Sequence, residues 1–190
     1  KTSSTQEQRS LPANCIVFPP IFRSSGELVF KGLFCFSPLF YFFKKLISEK
    51  AYTSLYKFKK YIATAITCRC ILADKNFKRL NRQSTESTVY FYWGIGMAYI
   101  LPFIHNKDKK IVRFHRTDLY ADLRPHQYIP FRKEVFESLN KAVFISKQGL
   151  EYAKKNFGQY KFSAYCSYLG TKDHGISKIK NEDGVIHILS

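Results

Sequence analysis

The residues best suited to chemistry in this chain fall in one short run, Arg113-Phe114-His115-Arg116-Thr117-Asp118-Leu119-Tyr120. A histidine flanked by two arginines and an aspartate can donate a hydrogen bond to a hydroxyl, or to charge developing at a reaction centre. The same histidine can also be a strand-end residue satisfied by backbone or by Asp118. Asp118 can orient His115, bind a hydroxyl group or cap the following turn. Arg116 has the forked guanidinium that suits phosphate oxygens, though a solvated or Asp-paired arginine is the simpler reading. Trp93 is either core or an aromatic cleft wall. Ser146 caps a helix that starts at Lys147, with a ligand contact as a further role. Gly94-x-Gly96 lacks the third glycine of the dinucleotide fingerprint, and close packing accounts for it. Cys68-Arg-Cys70 has the wrong spacing for a zinc knuckle, so no metal site is expected.

These residues need a scaffold, and the pattern around them supplies one. Short apolar runs at 89–92, 110–114, 142–145 and 162–166 read as strands. Between them lie helical patterns from Gly96 to about Ile104, Arg132–Leu139 and Ser146–Asn156, with a loop from His115 to Pro130. Strands alternating with helices predict an α/β fold with a Rossmann-like parallel sheet and helices on both faces. In open parallel sheets, ligands bind beyond the carboxyl ends of the strands. Trp93, His115 and Ser146 all follow strands. Upstream, residues 1–14 read as a polar loop, Cys15–Phe18 as a short strand and 21–32 as loop. Leu39, Phe42, Phe43, Leu46 and Ile47 recur at helical spacing after Pro38. A basic helical region spans about 51–80, with a break near Asp74-Lys75-Asn76.

The run at 113–120 resembles a segment of the retaining GT-B glycosyltransferases of family four, in which Arg-x-His-x-x-Asp-hydrophobic-Tyr follows a strand of the N-terminal domain. Three further stretches fit that family in order: Tyr128-Ile129-Pro130-Phe131-Arg132, Val143-Phe144-Ile145-Ser146-Lys147-Gln148-Gly149, and Tyr168-Leu169-Gly170-Thr171. The similarity covers about Val89 to Ser190. It implies an acceptor-side domain over residues 1–170, a linker over 171–184, and the start of a donor-binding domain at 185–190. The family's first strand with its glycine-rich loop is not recognisable, nor is most of the donor domain. The resemblance implies transfer of a sugar from a nucleotide-sugar donor to a lipid-linked or polysaccharide acceptor. His115 would be the catalytic residue, with Arg116, Asp118, Trp93 and Ser146 on the substrate. No cofactor is implied beyond the donor substrate. The fragment alone is expected to be inactive.

Composition bears on partners. The 190 residues carry 31 Lys and Arg against 14 Asp and Glu, a formal charge of +17, which favours an anionic partner. With 45% hydrophobic residues the chain can bury a core, and bulk disorder is excluded. Five cysteines in an odd, irregular set argue for a reducing compartment. The apolar run from Leu33 to Phe43 falls short of the ~20 residues that span a bilayer. Phe40 and Phe43, bordered by Lys44, Lys45, Lys57, Lys59 and Lys60, read instead as an interfacial helix on an anionic membrane surface. A cytoplasmic protein, peripheral at the inner face of the cell membrane, is therefore expected. The alternative is a basic nucleic-acid-binding module, since positive charge with interleaved aromatics suits backbone contacts and base stacking. No recognised nucleic-acid motif is present, and the aromatics fall at core spacing, so no nucleic acid is expected.

Overall fold

A computed structural model of the chain describes residues 21, 24–34, 38–82, 87–105 and 109–170. Four strands, β1 (Thr88–Phe91), β2 (Lys109–Phe114), β3 (Lys141–Phe144) and β4 (Ser163–Cys166), form one sheet in the order β1-β2-β3-β4. Every neighbouring pair is parallel. This is a Rossmann-like α/β fold, as the alternation of strands and helices predicts. Asn140 helps to fix the register. Its side-chain oxygen accepts the Lys110 N–H, its own N–H donates to the Lys110 carbonyl, and its carbonyl accepts the Ser163 N–H.

The strand order decides where the crossovers lie. Each connection steps to the next position in the same direction, so right-handed crossovers all fall on one face of the sheet. The register puts Phe91, Val112, Ala142 and Ala164 in one row of that face, with Phe114, Phe144 and Cys166 in another. Phe91, Val112, Ala142, Phe114 and Phe144 are buried. The opposite face carries Tyr90 and Tyr165, which stay 48% and 49% exposed. Both tyrosines lie on edge strands, and Ile111 and Val143 between them are half-buried, so the sheet is flanked by helices as expected.

Helices α5 (Arg116–Leu119), α6 (Arg132–Ser138) and α7 (Lys147–Phe157) supply most of these crossovers, together with a 3-10 helix at Gly96–Phe103. Aromatic stacking joins them to the sheet. Phe136 lies flat against Phe114 at 4.9 Å and against Phe157 at 4.0 Å between ring centroids. Offset ring contacts of this kind add to the stabilisation from area burial alone.

A second layer comes from the N-terminal half: α1 (Ser25–Phe34), α2 (Leu39–Ser48), α3 (Leu55–Ala73) and α4 (Lys75–Arg82). Phe131 is where the layers meet, with Phe42 of α2, Tyr61 of α3 and Tyr99 of the 3-10 helix all packed on its ring. The Tyr61 hydroxyl donates to the Phe42 carbonyl. The expected break falls at Asp74, whose backbone is extended and whose carboxylate accepts the Phe77 N–H at 2.9 Å, starting α4.

One expectation is corrected. Residues 25–34 are helical, not loop. Gly26 and Gly32 read as breakers in isolation, but Ser24 caps the helix by accepting the Glu27 N–H. At Gly32 the helix crosses α3 so closely that a Cβ would lie 2.5 Å from the Ile66 carbonyl oxygen. The glycine permits a crossing whose packing outweighs its poor helix propensity. The expected strand at Cys15–Phe18, the linker and the donor-domain start lie outside the described residues. Among the described residues, no helix is long and apolar enough to cross a membrane.

Candidate functional site

At the carboxyl end of β2, Phe114 is fully buried and the chain turns at His115 into the single turn of α5. The turn is held by Asp118. One carboxylate oxygen accepts the His115 backbone N–H and the other accepts the Gly94 N–H, each at 2.5 Å. A single buried side chain thus ties the loop after β1 to the loop after β2. Arg132 of α6 completes the junction, donating to the carbonyls of Asp118 and Gly94. Its guanidinium lies over the rings of Phe114 and Phe136. Gly94 is required by contact: a Cβ there would come within 2.3 Å of the Phe114 ring.

Burial raises the Asp118 carboxyl above its ordinary value, opposed by the Gly94 and His115 hydrogen bonds and by the Arg132 charge. Burial pulls Arg132 down to about 10, which leaves it charged at neutral pH. Asp118 is 0% exposed and both its oxygens are engaged. This corrects the expectation that it meets substrate: it positions the backbone beneath the site.

His115 sits above this junction, 7% exposed. Its ring stacks on Trp93, with centroids 4.0 Å apart and planes 30° apart. Its Nε2 lies 2.9 Å from the Tyr92 carbonyl oxygen. A carbonyl only accepts, so Nε2 carries the proton, and Nδ1 of the neutral ring is the acceptor that faces the Asp118 backbone N–H in the capping box of α5. In that state the ring has no second N–H to donate. It gains one at Nδ1 only when protonated.

Ser146 closes β3 as His115 closes β2. Its backbone is extended, and its Oγ accepts the Gly149 N–H at 3.1 Å, so it is the N-cap of α7. His115, Arg116 and Ser146 border one open cavity of about 680 Å³ at the carboxyl edge of the sheet. Tyr120, Asp122 and Gln148 border it as well. The sequence reading did not single out these three. In the sequence Tyr120 stands out only as the end of the family-like segment, Asp122 sits in a stretch with no pattern of its own, and Gln148 is one exposed polar residue in the first turn of a helix. Trp93 reaches the site through His115 and does not itself line this cavity.

The cleft combines an imidazole acceptor, a guanidinium, a hydroxyl, an amide and a carboxylate. It lies beside the N-terminal end of an eleven-residue helix, where the macrodipole is positive. Such a set suits a hydroxyl-rich or anionic ligand. Among the described residues, no group of three or more His, Cys, Asp or Glu could hold a metal ion.

A second cavity of about 770 Å³ shares Asp122 with the first and is lined by Glu49, Lys45, Glu134 and Tyr128 among others. Glu49, at the carboxyl end of α2, accepts the Tyr128 hydroxyl at 2.5 Å and the Phe131 N–H at 2.9 Å. Burial pushes its carboxyl up to about 7, opposed by those two hydrogen bonds.

Two of the lysines expected on a membrane surface turn inward. Lys45 pairs with the buried Glu134 at 2.5 Å, and Lys57 lies over the Tyr128 ring at 5.8 Å. A carboxylate holds Lys45 within the fold, and an aromatic face lies beneath the half-buried Lys57. Phe40, Phe43, Lys44, Lys59 and Lys60 are all exposed.

Compared with known proteins, the chain matches no family, no curated protein and no solved structure.

Proposed function

We propose that this chain is the acceptor-side domain of a GT-B-type retaining glycosyltransferase. The enzyme moves a sugar from a nucleotide donor to a lipid-linked or polysaccharide acceptor. One observation supports the reading above the rest: the family-like segment at 113–120 ends a parallel strand, so that His115 and Arg116 share a cleft with Ser146 from the next strand. Cleft, strand ends and helix N-terminus coincide where open α/β sheets bind their ligands.

In the transfer, the bond between the anomeric carbon and the leaving phosphate breaks and a bond to an acceptor oxygen forms. The acceptor hydroxyl's proton passes to the leaving phosphate oxygen, so the step balances. In neutral His115, Nδ1 faces the Asp118 backbone N–H, so it accepts from a sugar hydroxyl when the single turn of α5 gives up that contact. Protonated His115 offers an N–H to charge that develops in the transition state. Arg116 meets phosphate oxygens, and Ser146 and Gln148 contact hydroxyls.

The test is transfer from labelled nucleotide sugars by the protein that carries this chain together with its donor-binding part. His115→Ala should lower kcat by about a hundredfold or more and leave the donor KM nearly unchanged. A kcat within twofold of wild type removes His115 from the mechanism. Turnover by the 190-residue chain alone contradicts the division into acceptor and donor domains.

A further inference from the structure

Helix α2 is apolar on both sides. Its inner side buries Phe42 and packs Tyr41 and Leu46 against the core. Its outer side carries Phe40, Phe43, Lys44 and Ile47, spaced i, i+3, i+4, i+7, so they form one stripe. Phe40 is 80% exposed and Phe43 61%. Helix α3 repeats the pattern with Leu55, Phe58, Lys59 and Ile62, and all three apolar members are exposed. Helix α1 adds exposed Val29, Phe30 and Leu33.

The three stripes adjoin. One shallow groove is walled by Leu33, Leu39, Phe43 and Ile62, and a neighbouring one by Val29, Phe58, Lys59 and Ile62. Ile62 and Ile66 line both grooves, so a single apolar surface runs over all three helices. Large contiguous apolar patches are rare on proteins that meet only water.

We infer that this three-helix face docks on a lipid bilayer bearing anionic headgroups. Charge selects the occupant. Lys44 and Lys59 lie within the apolar stripes, and Lys60 flanks them, all exposed. Exposed Phe side chains enter the headgroup boundary while lysines at the same level meet phosphate. No acidic side chain occupies the outer stripe of α2 or α3. Glu27 of α1 is paired with Lys31 at 2.6 Å. The proposal does not depend on sugar transfer. It rests on a surface built wholly from α1, α2 and α3, whereas the cleft is built from the strand ends.

The test uses the 190-residue chain and vesicle flotation, comparing phosphatidylcholine alone with phosphatidylcholine containing phosphatidylglycerol. Binding should rise with phosphatidylglycerol and weaken with salt, because headgroup attraction is screened within ~10 Å at 0.1 M. Phe40→Ser combined with Phe43→Ser should lower partitioning by roughly tenfold, with little added salt dependence. Lys44→Glu, Lys59→Glu and Lys60→Glu together should lower it by roughly tenfold or more and abolish the preference for phosphatidylglycerol. A charge-matched control reverses Lys147, Lys155 and Lys161, away from these helices, and should bind nearly as wild type does. Circular dichroism checks that each variant is folded.

Three outcomes overturn the proposal. The first is no flotation with anionic vesicles at low salt. The second is equal loss in the control with no effect of the Phe substitutions, which marks general attraction of a basic protein to any polyanion, a short oligonucleotide included. The third is a dimer in solution that Phe40→Ser and Phe43→Ser dissociate, which assigns the face to a second copy of the chain.

Discussion

Trp93 and His115 follow different strands, yet their rings stack with centroids 4.0 Å apart. The contact exists because β1 and β2 are neighbours in register, with Phe91 opposite Val112, so the residues beyond each strand end side by side. Together with the Tyr92 carbonyl on Nε2, it leaves the imidazole little freedom to tilt.

A consequence is testable by nitrogen-15 NMR of the histidine ring. Neutral His115 should show the Nε2–H tautomer. Trp93→Ala should loosen the ring and, in an active protein, lower kcat more than it raises KM, while Trp93→Phe restores most of the loss. A ring found as the Nδ1–H tautomer contradicts the assigned hydrogen bond to Tyr92.

Asp118 should matter for stability out of proportion to its position in a surface turn. Asp118→Ala leaves the N–H groups of Gly94 and His115 buried without partners, at about 1–3 kcal/mol each. Asp118→Asn keeps one acceptor oxygen and should cost about half as much. Urea unfolding of the two variants gives the comparison, and equal costs below ~1 kcal/mol would sink this account of the junction.

Gly94→Ala should be worse than a loop glycine substitution ordinarily is. The added methyl would sit 2.3 Å from the Phe114 ring, and Phe114 is stacked on both Phe136 and Phe144. Overpacking of this kind costs about 1–3 kcal/mol. The strain should also spread to His115, visible as shifted ring resonances. An unchanged melting temperature would show that the aromatic stack yields more easily than its packing implies.

Glu49 predicts a pH dependence with a definite sign. Its carboxyl rises from 4.5 when free to about 7 in the fold, so folding favours the protonated form. That contribution is fully present below the ordinary carboxyl value and is lost as pH rises towards neutrality. The shift corresponds to about 3 kcal/mol at most. The groups facing Glu49 are Tyr128, Lys45, Glu134, Tyr61 and Tyr41. Wild-type stability to urea should fall between about pH 5 and pH 7.5, and Glu49→Gln should flatten that slope. A slope that survives the substitution assigns the effect elsewhere.

The strands and the helix starts were legible because they announce themselves locally. Val112, Phe114, Ala142 and Phe144 sit in short apolar runs, and Ser146 precedes a helical pattern with its cap already in place. What could not be read was carried by contacts between distant residues. The helix at 25–34 depends on Gly32 meeting Ile66, a fact absent from either segment alone. Arg132 stood in a familiar stretch, but its burial beneath Asp118 is settled only when α6 folds back on the sheet. Lys45 looked like a headgroup contact because its partner Glu134 lies far along the chain. His115 was legible as a candidate, while its tautomer needed the carbonyl of Tyr92.

The strand order has a kinetic meaning. Because β1, β2, β3 and β4 lie side by side in chain order, none of these four described strands must be threaded between two others already paired. Each new strand adds to the edge left by its predecessor, after a crossover of a few dozen residues or fewer. Loop closure is then inexpensive at every step, and contacts stay short-range for a parallel sheet. During synthesis, the sheet can lengthen one strand at a time as the chain emerges, with each unpaired edge exposed only until the next strand arrives.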